Sequence, residues 1–340
     1  PKVPKSWVLP ARFLSWKEWK AAYEQMCFSP QEYLYKLPPM AGGTSGLNFL
    51  AAEVDVTPAT KGSWQDKDIS ASVPAGATGA ILRLYNANAV DSKVVCVRAN
   101  GSTDTRTPRN NAAAHQGACV ALDANRILEI YAADTDCFVY LVGYTSDDTT
   151  FFTNSVVKTP SGAGSWVDVD VSGDGVASGA TLVLVQFFHA STSYLCGARA
   201  NGSSDTFTYG QLGTPRQKYQ AIALDANRIF EVQVENVAQL CYVIGYFMAP
   251  ITFEINAIPY ALGTTGSWIN IDTSAAAPAT ADGAIWLINN TETASNRSGG
   301  VRVDGSTEET YAQIRGSGAY FFATALLADI AEGKIDNLNV

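Results

Sequence analysis

The sequence predicts a mainly β protein: three tandem antiparallel β-sandwich modules of jelly-roll-like form, preceded by a short helical N-terminal arm. Three observations carry that reading. The string Gly-Ser-Trp ends at Trp64, Trp166 and Trp268, a constant step of 102 residues. Within each step apolar residues alternate with period two, the spacing of strands rather than helices. The first 46 residues share neither the step nor the period. A unit near 100 residues is too long for a solenoid repeat and large enough to be a domain. The expected divisions are an arm with a hinge at 1–46 and modules at 47–147, 148–249 and 250–340.

In the arm, SWKE (Ser15 to Glu18) and SPQE (Ser29 to Glu32) have the capping-box form, and Pro30 suits a first helical position, so two short helices are expected. Trp16, Trp19, Tyr23 and Met26 fall on one helical stripe; Trp7, Tyr33 and Tyr35 add further rings. A helix this short is not stable alone, so an aromatic stripe on it needs a surface to bury against. These seven residues are the candidate docking set. MAGGTSG (Met40 to Gly46) reads as a flexible joint.

Each module then runs through the same elements. WVDVDVS from Trp166 alternates valine with aspartate, a strand with one covered face. ATLVLVQFF (Ala180 to Phe188), with counterparts AILRLY and AIWLIN, is apolar on both parities and is expected at the most covered point of a sheet. Hairpins follow at Asn100-Gly101 and Asn201-Gly202, then a turn in LDANRI (122–127 and 224–229), then a closing strand VYLVGY or CYVIGY. The third copy departs. ATALLADIAEG is the one module segment with a helical period. Aligning KIDNLNV (334–340) with RILEIYA (126–132) leaves nothing for the closing strand. That alignment predicts a longer natural product or a strand supplied by a neighbouring chain.

Composition narrows the functional classes. There are 23 basic and 32 acidic residues; the arm is net +3, which leaves the modules at −12. An acidic chain lacks the basic footprint of a nucleic-acid binder. No run of 18 apolar residues and no signal pattern is present, so neither membrane insertion nor export is expected; Pro1 fits a trimmed initiator methionine and assembly in a host cytoplasm. Of six cysteines, Cys96 and Cys196 occupy matching places and the third module has none, which predicts buried free thiols rather than a disulfide framework. For the same reason of export, the sequons at Asn100, Asn201, Asn289 and Asn296 read as accidental.

Motifs for chemistry are absent. His115 and His189 stand at different places in the repeat, with no metal-ligand spacing and no nucleophile motif, so no enzyme, metal or cofactor is expected. DVDVSGDG (168–175) approaches a calcium loop, but Ser172 and Gly179 stand where ligands belong, and a solvated strand explains it better. Arg98, Arg199 and Arg302 recur just before each hairpin and Asp104, Asp205 and Glu308 just after. That suggests a cross-hairpin ion pair worth about 0.2–1 kcal/mol, the alternative being three equivalent ligand-binding arginines. Strand parity puts Trp166 and Trp268 off the valine or isoleucine face, which leaves three roles for Trp64, Trp166 and Trp268: closing the end of their own sandwich, lining module junctions, or offering platforms for cell-surface glycan.

Taken together, Gly-Ser-Trp, VPAGATGAILRLYN, VRANGSTD, LDANRI and VYLVGY resemble repeated β domains in structural proteins of tailed phages and related viruses. The resemblance implies a non-enzymatic virion component, whether head fibre, decoration or tail-associated chain. Such a component docks by its N-terminal arm on other virion structural proteins and presents its β modules, as a homo-oligomer. The alternative is a carbohydrate-binding adhesin or receptor-binding protein.

Overall fold

The computed structural model describes residues 46–189, 194–206, 210–212 and 216–248. In the last module it describes 256, 258, 260, 266–274, 277, 281, 283–289, 297–305, 312–314, 319–325 and 330–337. The two arm helices and the candidate docking set of Trp7, Trp16, Trp19, Tyr23, Met26, Tyr33 and Tyr35 lie outside the described residues.

The first module contains β1 (Leu47–Asp55), β2 (Trp64–Asp68), β3 (Gly79–Asn86), β4 (Lys93–Ala99), β5 (Arg109–Asn110), β6 (Ala114–Ala121), β7 (Ile127–Ala132) and β8 (Cys137–Thr145). β1 pairs with β8, β2 with β7, β3 with β6 and β4 with β5. This is one long antiparallel ribbon. Rolling it up brings β3 beside β8 and β4 beside β7, giving two sheets ordered β1-β8-β3-β6 and β2-β7-β4-β5. Eight strands in two sheets wound this way make a jelly roll.

The second module repeats the scheme with β9 (Thr149–Val157), β10 (Val167–Asp170), β11 (Ala180–His189), β12 (Tyr194–Ala200), β13 (Gly210–Leu212), β14 (Arg216–Ala223), β15 (Ile229–Val234) and β16 (Leu240–Met248). Its sheets are β14-β11-β16-β9 and β10-β15-β12-β13. Valine and phenylalanine on alternate positions fill the space between them: Val183, Val185 and Phe187 from β11 meet Phe230, Val232 and Val234 from β15. The closing strand carries a glycine in both modules for a steric reason. A Cβ at Gly245 would lie 2.6 Å from the Thr150 carbonyl oxygen, and one at Gly143 would strike the equivalent carbonyl of Asn48.

The third module contributes β17 (Ile269–Asp272), β18 (Gly283–Asn289), β19 (Arg297–Val303), β20 (Ala312–Ile314), β21 (Ala319–Ala325) and β22 (Ile330–Asn337). β17-β22-β19-β20 form one sheet and β18-β21 a two-stranded partner. Two sequence expectations are corrected here. The segment read as helical is strand at Ala319–Ala325 and again from Ile330. The alignment at the C-terminus is also displaced. Asp68, Asp170 and Asp272 face Ile127, Ile229 and Ile330, so the equivalent of RILEIYA begins at Asp329, five residues earlier than expected.

Local turn chemistry accounts for the most repeated strings. Asp123 Oδ1 accepts from the backbone nitrogens of Asn125 and Ile127, and Asp225 Oδ1 from those of Asn227 and Ile229. The turn places Arg126 and Arg228 at φ 64°. Each then donates to carbonyls of the preceding turn, Arg126 to Ser70 and Val73, Arg228 to Ser172 and Val176.

Candidate functional site

The modules are not separate beads. Leu182 and Leu184 point away from their own sandwich and join the apolar cluster of the first module, together with Tyr219 and Phe247. That explains why β11 is apolar on both parities: one face covers its own core and the other a neighbouring module. Ile285, on β18, packs against the same cluster. β4 and β6 lie against β9, β5 against β14, β14 against β21, and β20 and β21 against β6. Contacts therefore run from the first module to the second, from the second to the third, and from the third back to the first. β6, β14 and β21, the corresponding strand of each module, lie against one another.

At the first junction, polar groups fix the register. Asn154 on β9 offers Oδ1 to the hairpin after β4, accepting from Thr103 N at 2.8 Å, Ser102 Oγ at 3.1 Å and Thr103 Oγ1 at 3.1 Å. The second junction repeats this: Asn256 Oδ1 accepts from Ser203 Oγ at 2.9 Å and Ser204 N at 3.0 Å. Arg106 then reaches across from the first module. Its Nη2 donates to Ser155 Oγ at 2.9 Å and Gln186 Oε1 at 3.0 Å, and its guanidinium carbon sits 3.6 Å from the centroid of Tyr242. Asp104 pairs with Arg106 at 3.1 Å and accepts from Ser155 Oγ at 3.0 Å. Gln116 Nε2 also donates to the Gln217 carbonyl at 2.9 Å, joining β6 to β14.

The recurring tryptophans and arginines come together on the outer face of the other sheet. Arg98 lies 4.3 Å over Trp64, Arg199 4.3 Å over Trp166 and Arg302 4.2 Å over Trp268, with all three indoles half-buried. Trp64 also meets Tyr131 edge-on at 5.7 Å. The ion pair expected across the hairpin is made elsewhere. Arg98 Nε donates to Glu129 Oε2 and Arg199 Nε to Glu231 Oε2, each at 2.6 Å. Asp104 and Asp205 receive these arginines through their backbone carbonyls, at 2.5 and 3.0 Å. The strand pairing dictates this, because Arg98 stands directly opposite Glu129 and Arg199 opposite Glu231. Arg302 faces Glu332 in the same register; Glu308 lies outside the described residues. Each ladder of the first two modules reaches the junction hairpin through that carbonyl contact.

Other candidates resolve into structural roles. In the calcium-like segment Asp170 Oδ1 accepts from Ser172 N at 2.7 Å, while Lys158 pairs with Asp174. Asp68 and Asp272 make the same serine turn. Among the described residues no group of three His, Cys, Asp or Glu is placed to hold a metal, and no helix is long and apolar enough to cross a membrane. Cys96, Cys119, Cys137, Cys196 and Cys241 are free and buried; burial pushes the Cys119 thiol up to about 12. Cys96 and Cys196 do not match after all. Arg98 aligns with Arg199, which sets Cys196 at the place of Val95, facing the core. His115 stacks on Tyr85 at 3.9 Å, and burial, with Arg83 beside it, lowers its pKa to about 3. It is neutral at physiological pH, with Arg83 Nη1 2.5 Å from Nδ1.

Sequence reasoning missed Asn154, Asn256 and Arg106. The two asparagines carry the 102-residue step and were findable by it. Arg106 has no repeated counterpart.

Comparison of the sequence with protein-family models and with curated proteins finds no match. Among solved structures the protein is similar to one from the atomic structure of Sulfolobus turreted icosahedral virus, at 10% identity over 87% of this chain and 86% of that one, TM-score 0.23. A second comes from work on the triple jelly roll fold and turret assembly in an archaeal virus, at 10% identity over 86% and 88%, TM-score 0.24.

Proposed function

We propose that the protein is a non-enzymatic structural component of a virion, a prebuilt block of three jelly-roll modules carried on an N-terminal docking arm. The observation that carries this reading is the closed triangle of module contacts. Outer sheet faces that a binding or catalytic domain would leave open are used here to hold neighbouring modules in fixed register, through Leu182, Leu184, Asn154 and Arg106. Successive modules in head-to-tail contact form a closed set only when the rotation between them closes, and such a set is a tile rather than a flexible string. The sequence resemblance to repeated β domains of phage structural proteins agrees with that use.

In this reading residues 1–46 bind another virion protein, with Trp16, Trp19 and Tyr23 as the main contacts, and the modules of 47–147, 148–249 and 250–340 are displayed as one body. The tryptophan ladders brace the hairpins that seat the next module. Arginine stacked on each indole occupies a ring face that a bound sugar would need, which favours the structural role over the glycan-binding alternative. Producing particles with the Trp16→Ala/Trp19→Ala variant tests the proposal. The expected result is loss of incorporation with an unchanged melting profile of the purified protein. Normal incorporation would remove the arm from the docking role.

A further inference from the structure

The two hairpins that hold Asn154 and Asn256 both turn on Asn-Gly. In this dipeptide an asparagine side chain is unusually ready to lose its amide, because glycine presents an unshielded backbone nitrogen to it. In both hairpins the asparagine is tied to an acid of the LDANRI turn. Asn100 Nδ2 donates to Asp123 Oδ2 and Asn201 Nδ2 to Asp225 Oδ2, each at 2.8 Å. These carboxylates are charged: burial works against ionisation, but hydrogen bonds from Ile127 and Asn100, or from Ile229 and Asn201, hold their pKa below the usual range. The third module has Asp304-Gly305 at this turn, with Gly305 at φ 74° against 72° and 75° for Gly101 and Gly202. The sequence position of the facing acid differs too. Leu326 stands four residues before Ile330, as Asp123 and Asp225 stand four before Ile127 and Ile229. No module combines two acids at these two positions.

We propose that Asn100 and Asn201 are sites of spontaneous deamidation, and that the product unseats the following module. The Gly101 nitrogen attacks Asn100 Cγ and gives its proton to solvent base. The Cγ–Nδ2 bond breaks, ammonia leaves and a succinimide forms; water then opens it at either carbonyl to aspartate or isoaspartate. Aspartate at 100 sets a second carboxylate where a donor had been, against Asp123, and such a pair cannot stay close with both members ionised. Isoaspartate lengthens the turn backbone. Either product displaces Ser102 and Thr103, the donors to Asn154. At Asn201 the same chemistry displaces Ser203 and Ser204, the donors to Asn256.

The test uses the full-length protein. After incubation at alkaline pH, peptide mass mapping should find conversion at Asn100 and Asn201 ahead of every other asparagine. Amide exchange at Thr103 and Ser204 should rise in step with it. The Asn100→Asp variant, a mimic of one product, should melt lower than the parent at pH 7. The reciprocal exchange Asn100→Asp/Asp123→Asn should restore the parent value, because it keeps one donor and one acid across the turn and leaves position 123 an oxygen for the Asn125 and Ile127 nitrogens. An absence of conversion at these sites would overturn the proposal, as would conversion that leaves Thr103 and Ser204 protected, or an Asn100→Asp variant as stable as its parent.

Discussion

The same outer sheet face occurs in the first and second modules, and the two are finished differently. In the second, Ser155, Gln186 and Tyr242 form a surface that Arg106 of the first module covers, 3.6 Å above the tyrosine. In the first, the equivalent places hold Glu53, Arg83 and Tyr140: Arg83 faces Tyr140 as Gln186 faces Tyr242, and Phe49 faces Gly143 as Phe151 faces Gly245. There the cation belongs to the face itself. Arg83 lies 4.3 Å over Tyr140 and is anchored by Glu53. A slot above a tyrosine is filled by arginine in both cases, but only when the arginine comes from the neighbour does filling it join two modules. Arg106 is therefore a coupling residue and Arg83 a local one.

The largest expected effect breaks that distinction directly. Arg106→Ala leaves Asp104 and the Tyr242 face without their partner and should cost about 3 kcal/mol, read as a lowered urea midpoint. It should also separate the unfolding of the modules, whereas Arg83→Ala should weaken the first module without separating them. Gln186→Arg sharpens the comparison by giving the second module the face of the first. Two guanidinium groups would then compete for one ring, at a cost of roughly 2 kcal/mol, and adding Arg106→Gln should recover most of it in a double-mutant cycle. Trp166→Ala should cost about 2 kcal/mol by denaturation, less than a core tryptophan because the ring is half-buried and much of its contact is with Arg199. Asn154→Ala removes one acceptor and should cost about 1 kcal/mol.

The smallest effect is on pH dependence. Hydrogen bonds from Ser70, Ser172 and Ser274 hold the carboxyls of Asp68, Asp170 and Asp272 below their usual pKa. A carboxylate whose folded pKa is depressed stabilises the fold above its unfolded pKa, and that contribution is lost as pH falls through the lower folded value. Changing all three to asparagine should flatten the stability profile on the acid side of about pH 4 and leave its slope unchanged near neutrality.

Much of the fold was legible because turn chemistry repeats. Asn-Gly, LDANRI and the glycine of the closing strand each answer a local steric or hydrogen-bonding demand, so they recur at fixed spacing. Both-sided apolarity of β11 was legible as coverage, but what covers it was not, since Leu182 and Leu184 meet residues a module away. Arg98 was matched with nearby Asp104 because adjacency along the sequence is visible, while the pairing of β4 with β7, which supplies Glu129, is not. ATALLADIAEG (323–333) reads as helix from its alanine and leucine content, yet its described ends are strand: pairing of β21 with β18 and of β22 with β17 and β19 overrides that propensity. Arg106 left no trace because a junction between unlike faces need not repeat.

The three modules are expected to unfold as one body, which calorimetry of the full-length protein at neutral pH can show. Coupled modules form a cooperative unit of about 300 residues, with a van't Hoff enthalpy of roughly 200 kcal/mol that drops when Arg106 is replaced by alanine. Independent beads would instead give about 70 kcal/mol for each transition, unchanged by Arg106→Ala, and that result would rule out coupling between the modules.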